Sequence, residues 1–386
     1  MSYLQPDQPH ILFLFSDTGG GHRSAAEAII EAINLEFPDQ FTTEMVDIFR
    51  EYAPPPFNLA PTIYPTLSRM PEVWKLGYEI SDGRRRTRLV SNALYPYIRR
   101  SIRRLVVEHP CDMIVSVHQL TNATVLRTLR KRKMKFVTVV TDLVSTHAFW
   151  YDNRADLVIV PTDAARQRGL DMGLDANRIV VTGMPVAERF CRPPGDRQDL
   201  RKKLGWPQDL PVILLVGGGE GMGPMEDTAH AINAARLPAA LVIIAGRNRR
   251  LKARLDQHDW HNMTYIYGFV REMPEFMQAA DILVTKAGPG TISEAFIAGL
   301  PVILYSRMPG QEEGNVTYVV DEGAGLWRPE PEQVVTAIAD WVMHPQERLK
   351  FAAASQRLAR PDATRQTARN LAAYLGIRKK TGPIQK

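Results

Sequence analysis

Residues 286–315 of the chain read KAGPGTISEAFIAGLPVILYSRMPGQEEGN, and this stretch decides the fold. An apolar strand at 282–285 leads into it, the loop Gly288-Pro289-Gly290-Thr291 opens a helix, and 300–305 forms a second buried strand. A strand, a glycine loop, a helix and another strand are typical of a Rossmann-like domain. The pattern therefore predicts an α/β fold with a parallel sheet.

The start of that helix suits an anion, because its first backbone N–H groups have no intrahelical partner. Lys286, just before the loop, adds a full positive charge. Glu294 lies one turn inside the helix, where an ionised carboxylate accepts hydrogen bonds from the hydroxyls of a ribose. These groups predict a phosphate bound next to a ribose.

The polar cluster after the second strand suits sugar hydroxyls. Gln311, Glu312 and Asn315 offer neutral and acidic hydrogen-bonding groups, and we expect them on a loop. Phosphate, ribose and sugar contacts in sequence order indicate a nucleotide-sugar site. A glycine-rich turn followed by a solvated acidic loop is the simpler alternative.

The same unit occurs twice more in the chain. Near the N-terminus, an apolar strand at 11–15 is followed by three glycines, a helical pattern and a strand at 43–48. Further on, a strand at 212–216 is followed by a loop that contains Gly217, Gly218, Gly219 and Gly221. The offset of roughly 200 residues indicates two domains of similar architecture.

The boundary between the domains is expected within residues 188–211, which hold Pro193-Pro194-Gly195 and no sustained apolar period. We predict an N-terminal domain at 1–190, a C-terminal domain at 191–375 and a basic tail at 376–386. One long helical pattern is expected over residues 331–375.

Composition limits the class of protein. A chain of 386 residues is long enough for two cores, and 45% hydrophobic with 23% charged residues is typical of globular proteins. Two cysteines, Cys111 and Cys191, argue against a disulfide scaffold. We expect no signal peptide at the N-terminus, and the apolar runs fall short of the roughly 20 residues of a membrane span.

Positive charge is concentrated in residues 84–135. That segment holds 14 Lys and Arg against two acids, a net charge of +12, whereas the whole chain carries +6. Such a field attracts nucleic acid or an anionic membrane. Nucleic-acid binding expects aromatics interleaved with the arginines, and this segment has only Tyr95 and Tyr97, which favours the membrane.

Residues 49–77 combine many prolines with Phe57, Tyr64 and Trp74. The prolines argue against a long helix, so a loop is expected. Its aromatics either pack beneath the loop or form a mobile flap that enters lipid at the headgroup level. The basic cluster that follows favours the flap: Arg84, Arg85 and Arg86.

Two long motifs carry a family resemblance. KAGPGTISEA…PGQEEGN and SDTGGGHRSAAEAI, the latter at 16–29, resemble a glycosyltransferase family that includes the peptidoglycan N-acetylglucosaminyltransferase and the diacylglycerol glycosyltransferases. The wording is most similar to the monogalactosyldiacylglycerol synthases, over about residues 10–375. The resemblance implies the GT-B fold, two Rossmann-like domains facing each other across a cleft, with the terminal helix crossing back to the first domain.

A general base for glycosyl transfer is predicted at His22. It follows Gly20 and Gly21 at the top of the first strand, where open α/β sheets bind ligands, and histidine titrates near neutrality. The resemblance implies the same role for the histidine of the GGGH motif. Asp17 is a candidate to orient it, and the alternative is that His22 caps the helix or contacts a phosphate.

A second candidate base is Asp142, at the end of the strand at 136–140. The segment TDLVSTHAFW at 141–150 resembles the acceptor side of glycolipid synthases, which implies that Asp142 or His147 holds the glycerol hydroxyl, with Trp150 nearby. His118 ends another strand on the same expected edge. Caps at strand ends are the alternative for these residues.

The leaving diphosphate is expected to be stabilised without a metal ion or other cofactor. The sequence contains no Asp-x-Asp motif, so helix N-termini, backbone N–H groups and Lys286 are predicted to meet its charge. The resemblance implies that uracil lies against Gly268, Phe269 and Val270. Gly19-x-Gly21-x-x-Ser24 approaches a dinucleotide fingerprint, so an NAD-dependent oxidoreductase is an alternative, as is a UDP-sugar epimerase.

The sequence thus predicts an inverting hexosyltransferase. Its donor is a UDP-sugar, with galactose favoured over glucose by the resemblance, and its acceptor is the sn-3 hydroxyl of 1,2-diacylglycerol. Direct displacement of UDP from an α-linked donor gives a β-glycoside. We expect a cytoplasmic protein bound peripherally to an anionic membrane and no nucleic-acid partner; a non-enzymatic membrane-binding protein is the competing class.

Overall fold

The computed structural model describes residues 8–18, 21–67, 70–129, 134–193 and 195–377, without the side chains of residues 64–67 and 71. Gly20 and the side chain of Tyr64, both predicted site residues, lie outside this description, as does most of the predicted tail. The chain divides into two compact units, Met1–Glu188 with Asp362–Lys386, and Arg189–Pro361.

The first unit is built on six parallel strands in the order β2-β1-β3-β4-β5-β6. Their bounds are β1 His10–Phe15, β2 Thr42–Asp47, β3 Met113–Ser116, β4 Lys135–Val139, β5 Leu157–Val160 and β6 Ile179–Val181. The apolar run Ile11 to Phe15 is buried on both faces of the sheet. Continuous apolar runs are what a parallel sheet covered by helices on both sides requires.

Seven helices of this unit follow in chain order. They are α1 Gly21–Glu36, α2 Ile48–Tyr52, α3 Ala60–Leu67, α4 Pro71–Ser81, α5 Arg84–Glu108, α6 Asn122–Leu129 and α7 Asp163–Asp171. The prediction of a loop over residues 49–77 is therefore wrong. Pro61 and Pro71 lie in the first turns of α3 and α4, where a missing N–H removes no helical hydrogen bond, so the prolines separate short helices.

The second unit repeats the architecture, with parallel strands in the order β12-β11-β10-β7-β8-β9. Their bounds are β7 Val212–Val216, β8 Ala240–Ile244, β9 Thr264–Tyr267, β10 Ile282–Lys286, β11 Val302–Ser306 and β12 Gly325–Trp327. The helices are α8 Glu188–Cys191, α9 Arg197–Leu204, α10 Met225–Ala234, α11 Arg249–Asp256, α12 Met273–Ala279, α13 Pro289–Ala298, α14 Glu313–Asp321, α15 Pro331–Met343 and α16 Pro345–Leu358.

The last helix, α17 Ala363–Tyr374, belongs to the first unit and packs against α1. The buried carboxylate of Glu36 accepts hydrogen bonds from Nε and Nη2 of Arg369 at 2.9 and 3.1 Å. One long helical pattern over residues 331–375 was expected, and three helices are found. Pro345 and Pro361 explain the breaks, because the residue before a proline disfavours the helical conformation.

No helix within the described ranges is both long enough and apolar enough to cross a membrane.

Candidate functional site

The strand order of each sheet reverses once, between β1 and β3 in the first unit and between β7 and β10 in the second. Open α/β sheets bind ligands outside the carboxyl ends of their strands at such a point. His22 and His118 follow β1 and β3, whereas glycine loops at 217–223 and 287–291 follow β7 and β10. Each unit therefore has predicted site residues at its own switch point.

The loop after β7 requires glycine at several positions. Gly218 and Gly221 have φ angles of +70° and +57°, in the left-handed region. A Cβ atom at Gly221 would lie 2.3 Å from the carbonyl oxygen of Ala245, and one at Gly217 would lie 2.2 Å from Sδ of Met225. Since no side chain fits, the bare backbone forms the surface of the loop, which leads into α10.

Lys286 lies between the two glycine loops of the second unit. Its Cε atom is 3.3 Å from the Cβ position of Gly218, and its Nζ atom is 3.0 Å from that of Gly288. Nζ donates to Oε1 of Glu312 at 2.6 Å, and this carboxylate is 9% exposed. The ammonium thus stands where the sequence predicts a diphosphate, held there by a largely buried acid.

The cluster expected on a loop after β11 is partly helical instead, because α14 begins at Glu313. Asn315 is buried in its first turn, and its Nδ2 donates to the carbonyl oxygen of Ala287 at 2.9 Å. Glu312 precedes the helix and also accepts from the backbone N–H of Met308. Gln311 is half-buried. Asn315 and Glu312 therefore tie this segment to the loop after β10.

The helix α13 begins as the sequence predicts, with Gly288 before it and Pro289 in its first position. A Cβ atom at Gly290 would meet nothing within 4 Å, and Thr291 is half-buried. Burial raises the pKa of Glu294 to about 8, an effect that the charge of Arg189 opposes. Burial therefore favours the neutral form of this carboxyl, whereas the sequence predicts an ionised one that accepts from a ribose.

Gly268, Phe269 and Val270, where uracil is expected, follow β9 at the same edge of the sheet. The ring of Phe269 is 54% exposed, and the guanidinium carbon of Arg247 lies 4.6 Å from its centroid. The sequence offered no reason to single out Arg247.

His22 lies in the first turn of α1, after the exposed Gly21, and faces two other polar side chains. Its Nδ1 is 2.9 Å from Oγ1 of Thr141, and its ring centroid is 4.6 Å from that of His118. Oγ1 of Thr141 donates to the carbonyl oxygen of Val117 at 3.4 Å, so it accepts from Nδ1 in the tautomer that leaves the lone pair on Nε2. Burial lowers the pKa of His22 to about 4.

His118 is buried beside His22, and its Nε2 is 3.1 Å from Oγ1 of Thr18. Burial lowers its pKa well below the usual histidine value, and the neighbouring His22 lowers it further. Burial therefore favours the neutral form of both imidazoles. Sequence reasoning missed Thr18 and Thr141, because a hydroxyl that pairs with a distant histidine leaves no local pattern.

Asp142 differs from His22 in its surroundings. It is only 3% exposed, and its Oδ2 accepts a 2.7 Å hydrogen bond from Nε1 of Trp150. The ring of Trp150 in turn lies 6.2 Å from that of His22. The structure therefore brings Asp142 and Trp150 to the histidine pair, with the carboxylate below the surface.

Asp17, the candidate to orient His22, forms an ion pair with Arg23. Its carboxylate accepts from Nε and Nη2 of Arg23 at 2.6 and 2.8 Å. The hydroxyl of Thr141 contacts the His22 ring at Nδ1.

His147 holds the 141–150 segment to α4. Its ring stacks on Phe149 and meets Tyr78 edge-on, and its Nε2 is 3.2 Å from Oγ of Ser81. Asp82, at the end of α4, accepts from the backbone N–H of Ala148 at 2.8 Å. His147 is buried and thus positions α4. It is not among the side chains around His22.

The helix α4 presents an apolar face to solvent. Val73, Leu76 and Ile80 are 49%, 59% and 62% exposed and share one side of the helix, opposite Trp74 and Tyr78. We call these three residues the α4 apolar face. The sequence did not predict it, because residues 49–77 were expected to form a loop.

The remaining predicted membrane residues surround this face in sequence. Phe57 is half-buried with its ring 6.1 Å from that of Tyr97. The arginines at the start of α5 are all exposed: Arg84, Arg85 and Arg86.

Among the described residues, no group of three or more His, Cys, Asp or Glu side chains is arranged to hold a metal ion.

Two family models match the chain, one in each half. Residues 22–186 match the model described as monogalactosyldiacylglycerol (MGDG) synthase, and residues 196–358 match glycosyl transferases group 1. Monogalactosyldiacylglycerol synthase 1, chloroplastic, of Arabidopsis thaliana is 38% identical over 93% of this chain and 70% of its own length. The Spinacia oleracea enzyme is 38% identical over 93% of this chain and 72% of its own length.

Solved structures share the fold at low sequence identity. The crystal structure of Acinetobacter baumannii MurG aligns with a TM-score of 0.59 at 16% identity, over 95% of this chain and 99% of that one. The S. aureus MnaA–UDP co-structure aligns with a TM-score of 0.60 at 14% identity, over 97% and 99%. The predicted α/β fold of the GT-B type is confirmed.

Proposed function

The chain belongs to the monogalactosyldiacylglycerol synthase family and is a UDP-sugar hexosyltransferase, and on that premise we propose that it transfers galactose from UDP-galactose to the sn-3 hydroxyl of 1,2-diacylglycerol. The product is a β-galactoside. The observation that carries the proposal is the 38% identity to named galactolipid synthases across 93% of the chain, both units included.

We assign the general base to His22. Its Nε2 accepts the proton of the glycerol hydroxyl while the hydroxyl oxygen attacks the anomeric carbon, and the bond from that carbon to the diphosphate breaks. His22 is preferred to Asp142 because it is less buried, whereas Asp142 accepts from Trp150 beneath the surface. A single displacement inverts the anomeric centre, so an α-linked donor gives a β-linked product.

We propose that protein groups of the second unit stabilise the negative charge of the departing UDP. Lys286 supplies a positive charge between the two glycine loops, and α10 and α13, which follow these loops, add the partial positive charge of their first N–H groups. Preorganised donors of this kind stabilise a developing anion without solvent rearrangement. The scheme needs no bound ion, so we expect activity to persist in excess EDTA.

The donor and the stereochemistry are tested in one experiment. The purified protein is incubated with diacylglycerol vesicles and equal concentrations of UDP-galactose and UDP-glucose, and the lipid product is analysed by NMR. We expect galactolipid with a β anomeric proton coupling. A preference for glucose or an α product contradicts the proposal, and conversion of the UDP-sugar without diacylglycerol indicates an epimerase.

We further propose that the protein reaches diacylglycerol by inserting the α4 apolar face into the surface of the bilayer. Aliphatic side chains that project from a helix gain free energy on entering the acyl boundary, and the nearby arginines attract anionic lipid. His147 supports this role, because it joins α4 to the segment that includes Asp142 and Trp150.

Replacing two residues of this face, Leu76→Glu with Ile80→Glu, is expected to weaken vesicle binding. Losing two half-exposed aliphatic side chains removes about 2–3 kcal/mol, equivalent to about 30- to 150-fold in affinity. Flotation with vesicles measures the binding. Activity on short-chain diacylglycerol dispersed in detergent should remain within about twofold, because the face lies away from His22's partners.

The matched control is Leu35→Glu with Val107→Glu, two exposed aliphatic residues on α1 and α5 of the same unit. This pair should bind vesicles like the unmodified protein. Equal losses in both double variants would show that general charge, and not the α4 apolar face, governs binding.

A further inference from the structure

Arg247 and Glu220 form an ion pair beside the predicted donor site. Nη1 of Arg247 donates to Oε1 of Glu220 at 2.8 Å. Glu220 belongs to the glycine loop after β7, and Arg247 follows β8, the strand paired with β7. The pair therefore lies at the carboxyl edge of the sheet, one strand from its switch point.

Backbone contacts fix the Arg247 side chain against the glycine loop. Its N–H donates to the carbonyl oxygen of Gly219 at 2.8 Å, and its Nη1 lies 3.3 Å from the Cβ position of Gly219. Gly246 has a φ angle of +59°, and a Cβ there would lie 2.4 Å from the same carbonyl oxygen. The guanidinium thus reaches the loop surface while it covers the ring of Phe269.

Arg247 readily exchanges Glu220 for another anionic partner. Its side chains are 54% and 41% exposed, and exposed pairs contribute little because water screens them. A guanidinium matches a phosphate with two parallel hydrogen bonds, which are stronger than a single contact to a solvated carboxylate. A phosphate delivered to this loop therefore competes well with Glu220.

Lys286 and Arg247 are both paired within the protein. Lys286 is bound to Glu312 and Arg247 to Glu220, so the paired side chains add no net charge around the loops. A nucleoside diphosphate brings several negative charges at once. A change of partner makes a guanidinium or an ammonium available to them, and the more exposed pair changes partner at the lower cost.

We propose that Arg247 binds the diphosphate of the donor, and that Glu220 competes with the diphosphate for the guanidinium. The inference rests on the proposed UDP-sugar donor and adds a residue that tunes its affinity. Glu220 lowers the affinity for UDP by occupying Arg247, and it repels the same phosphates directly. Replacing Glu220 and replacing Arg247 should therefore change the affinity for UDP in opposite directions.

Titration calorimetry with UDP and with uridine tests the proposal on the whole 386-residue chain. Arg247→Met is expected to weaken UDP binding about tenfold or more while uridine binding changes less than about twofold. Glu220→Gln is expected to tighten UDP binding up to about fivefold and to leave uridine unchanged. Arg250→Met, which replaces an exposed arginine in the first turn of the following helix α11, is the matched control and should change neither.

Three results overturn the inference. Equal weakening of UDP and uridine by Arg247→Met would place the guanidinium on the base through Phe269. Weaker UDP binding in Glu220→Gln would make the acid a support for Arg247 and not a competitor. Unchanged UDP binding in both variants would exclude both proposed roles.

Failure of the unmodified protein to bind UDP is a separate result that overturns the donor itself. Thermal melts of each variant check that folding is intact, and the two substitutions are judged independently.

Discussion

Replacing His22 with alanine is expected to lower the rate of glycolipid formation by about 100- to 10,000-fold, the usual contribution of a general base. The neutral imidazole is already oriented by Thr141, with its Nε2 lone pair ready to accept a proton. UDP affinity should stay within about twofold, because the donor residues belong to the second unit. Initial rates with vesicles and calorimetry with UDP measure the two quantities.

Two variants sharpen this test. His344→Ala removes an exposed histidine of the second unit and should leave the rate unchanged. Asp142→Asn keeps an oxygen that accepts from Trp150, so it should cost much less than His22→Ala. If Asp142→Asn costs as much and His22→Ala costs less than tenfold, the base is Asp142.

Thr141→Val tests the orientation of His22, because it removes the hydroxyl partner of the imidazole and keeps the shape of the side chain. We expect kcat to fall by about tenfold, the loss of one hydrogen bond, while KM for the donor is unchanged. A valine that affects only the melting temperature would give Thr141 a structural role alone.

The pH dependence follows from the lowered pKa of His22, about 4. The rate should be flat between pH 6 and pH 8 and should fall only as the imidazole is protonated at lower pH. The free energy of unfolding also depends on pH, because the histidine titrates near pH 6.5 in the unfolded chain. Between about pH 6.5 and 4 the unfolded chain binds more protons, so the free energy of unfolding decreases as the pH falls. His118, with its pKa also lowered, acts in the same direction.

Sequence reasoning found the strands and the residues at both switch points, because their signals are local. A glycine loop after an apolar run needs particular residue types within a few positions, as at Gly217 and Gly288. Pairings across the chain leave no such signal: Thr141 lies 119 residues from His22, and Arg247 lies 27 residues from Glu220.

Other misses came from a correct rule applied too broadly. Prolines do argue against a helix interior, but Pro61 and Pro71 occupy the first turns of α3 and α4, and the α4 apolar face was missed as a result. The raised pKa of Glu294 could not be predicted, because desolvation depends on neighbours that the sequence does not reveal.

The second large effect is expected at Lys286. Lys286→Met should lower UDP affinity by about 10- to 100-fold and the transfer rate by about 100- to 1,000-fold, because the charge that meets the leaving diphosphate is lost. The same change leaves the carboxylate of Glu312 without its cation in a largely buried position. Stability should fall by about 2–3 kcal/mol, less than for a fully buried pair because the ammonium is partly exposed.

The double variant Lys286→Met with Glu312→Gln separates the two consequences. Glutamine carries no charge, so the melting temperature should return towards that of the unmodified protein. UDP affinity should stay low, because no cation has been restored between Gly218 and Gly288. Recovery of UDP affinity in the double variant would mean that Lys286 serves only to neutralise Glu312, and the diphosphate would then depend on the helix N-termini and on Arg247.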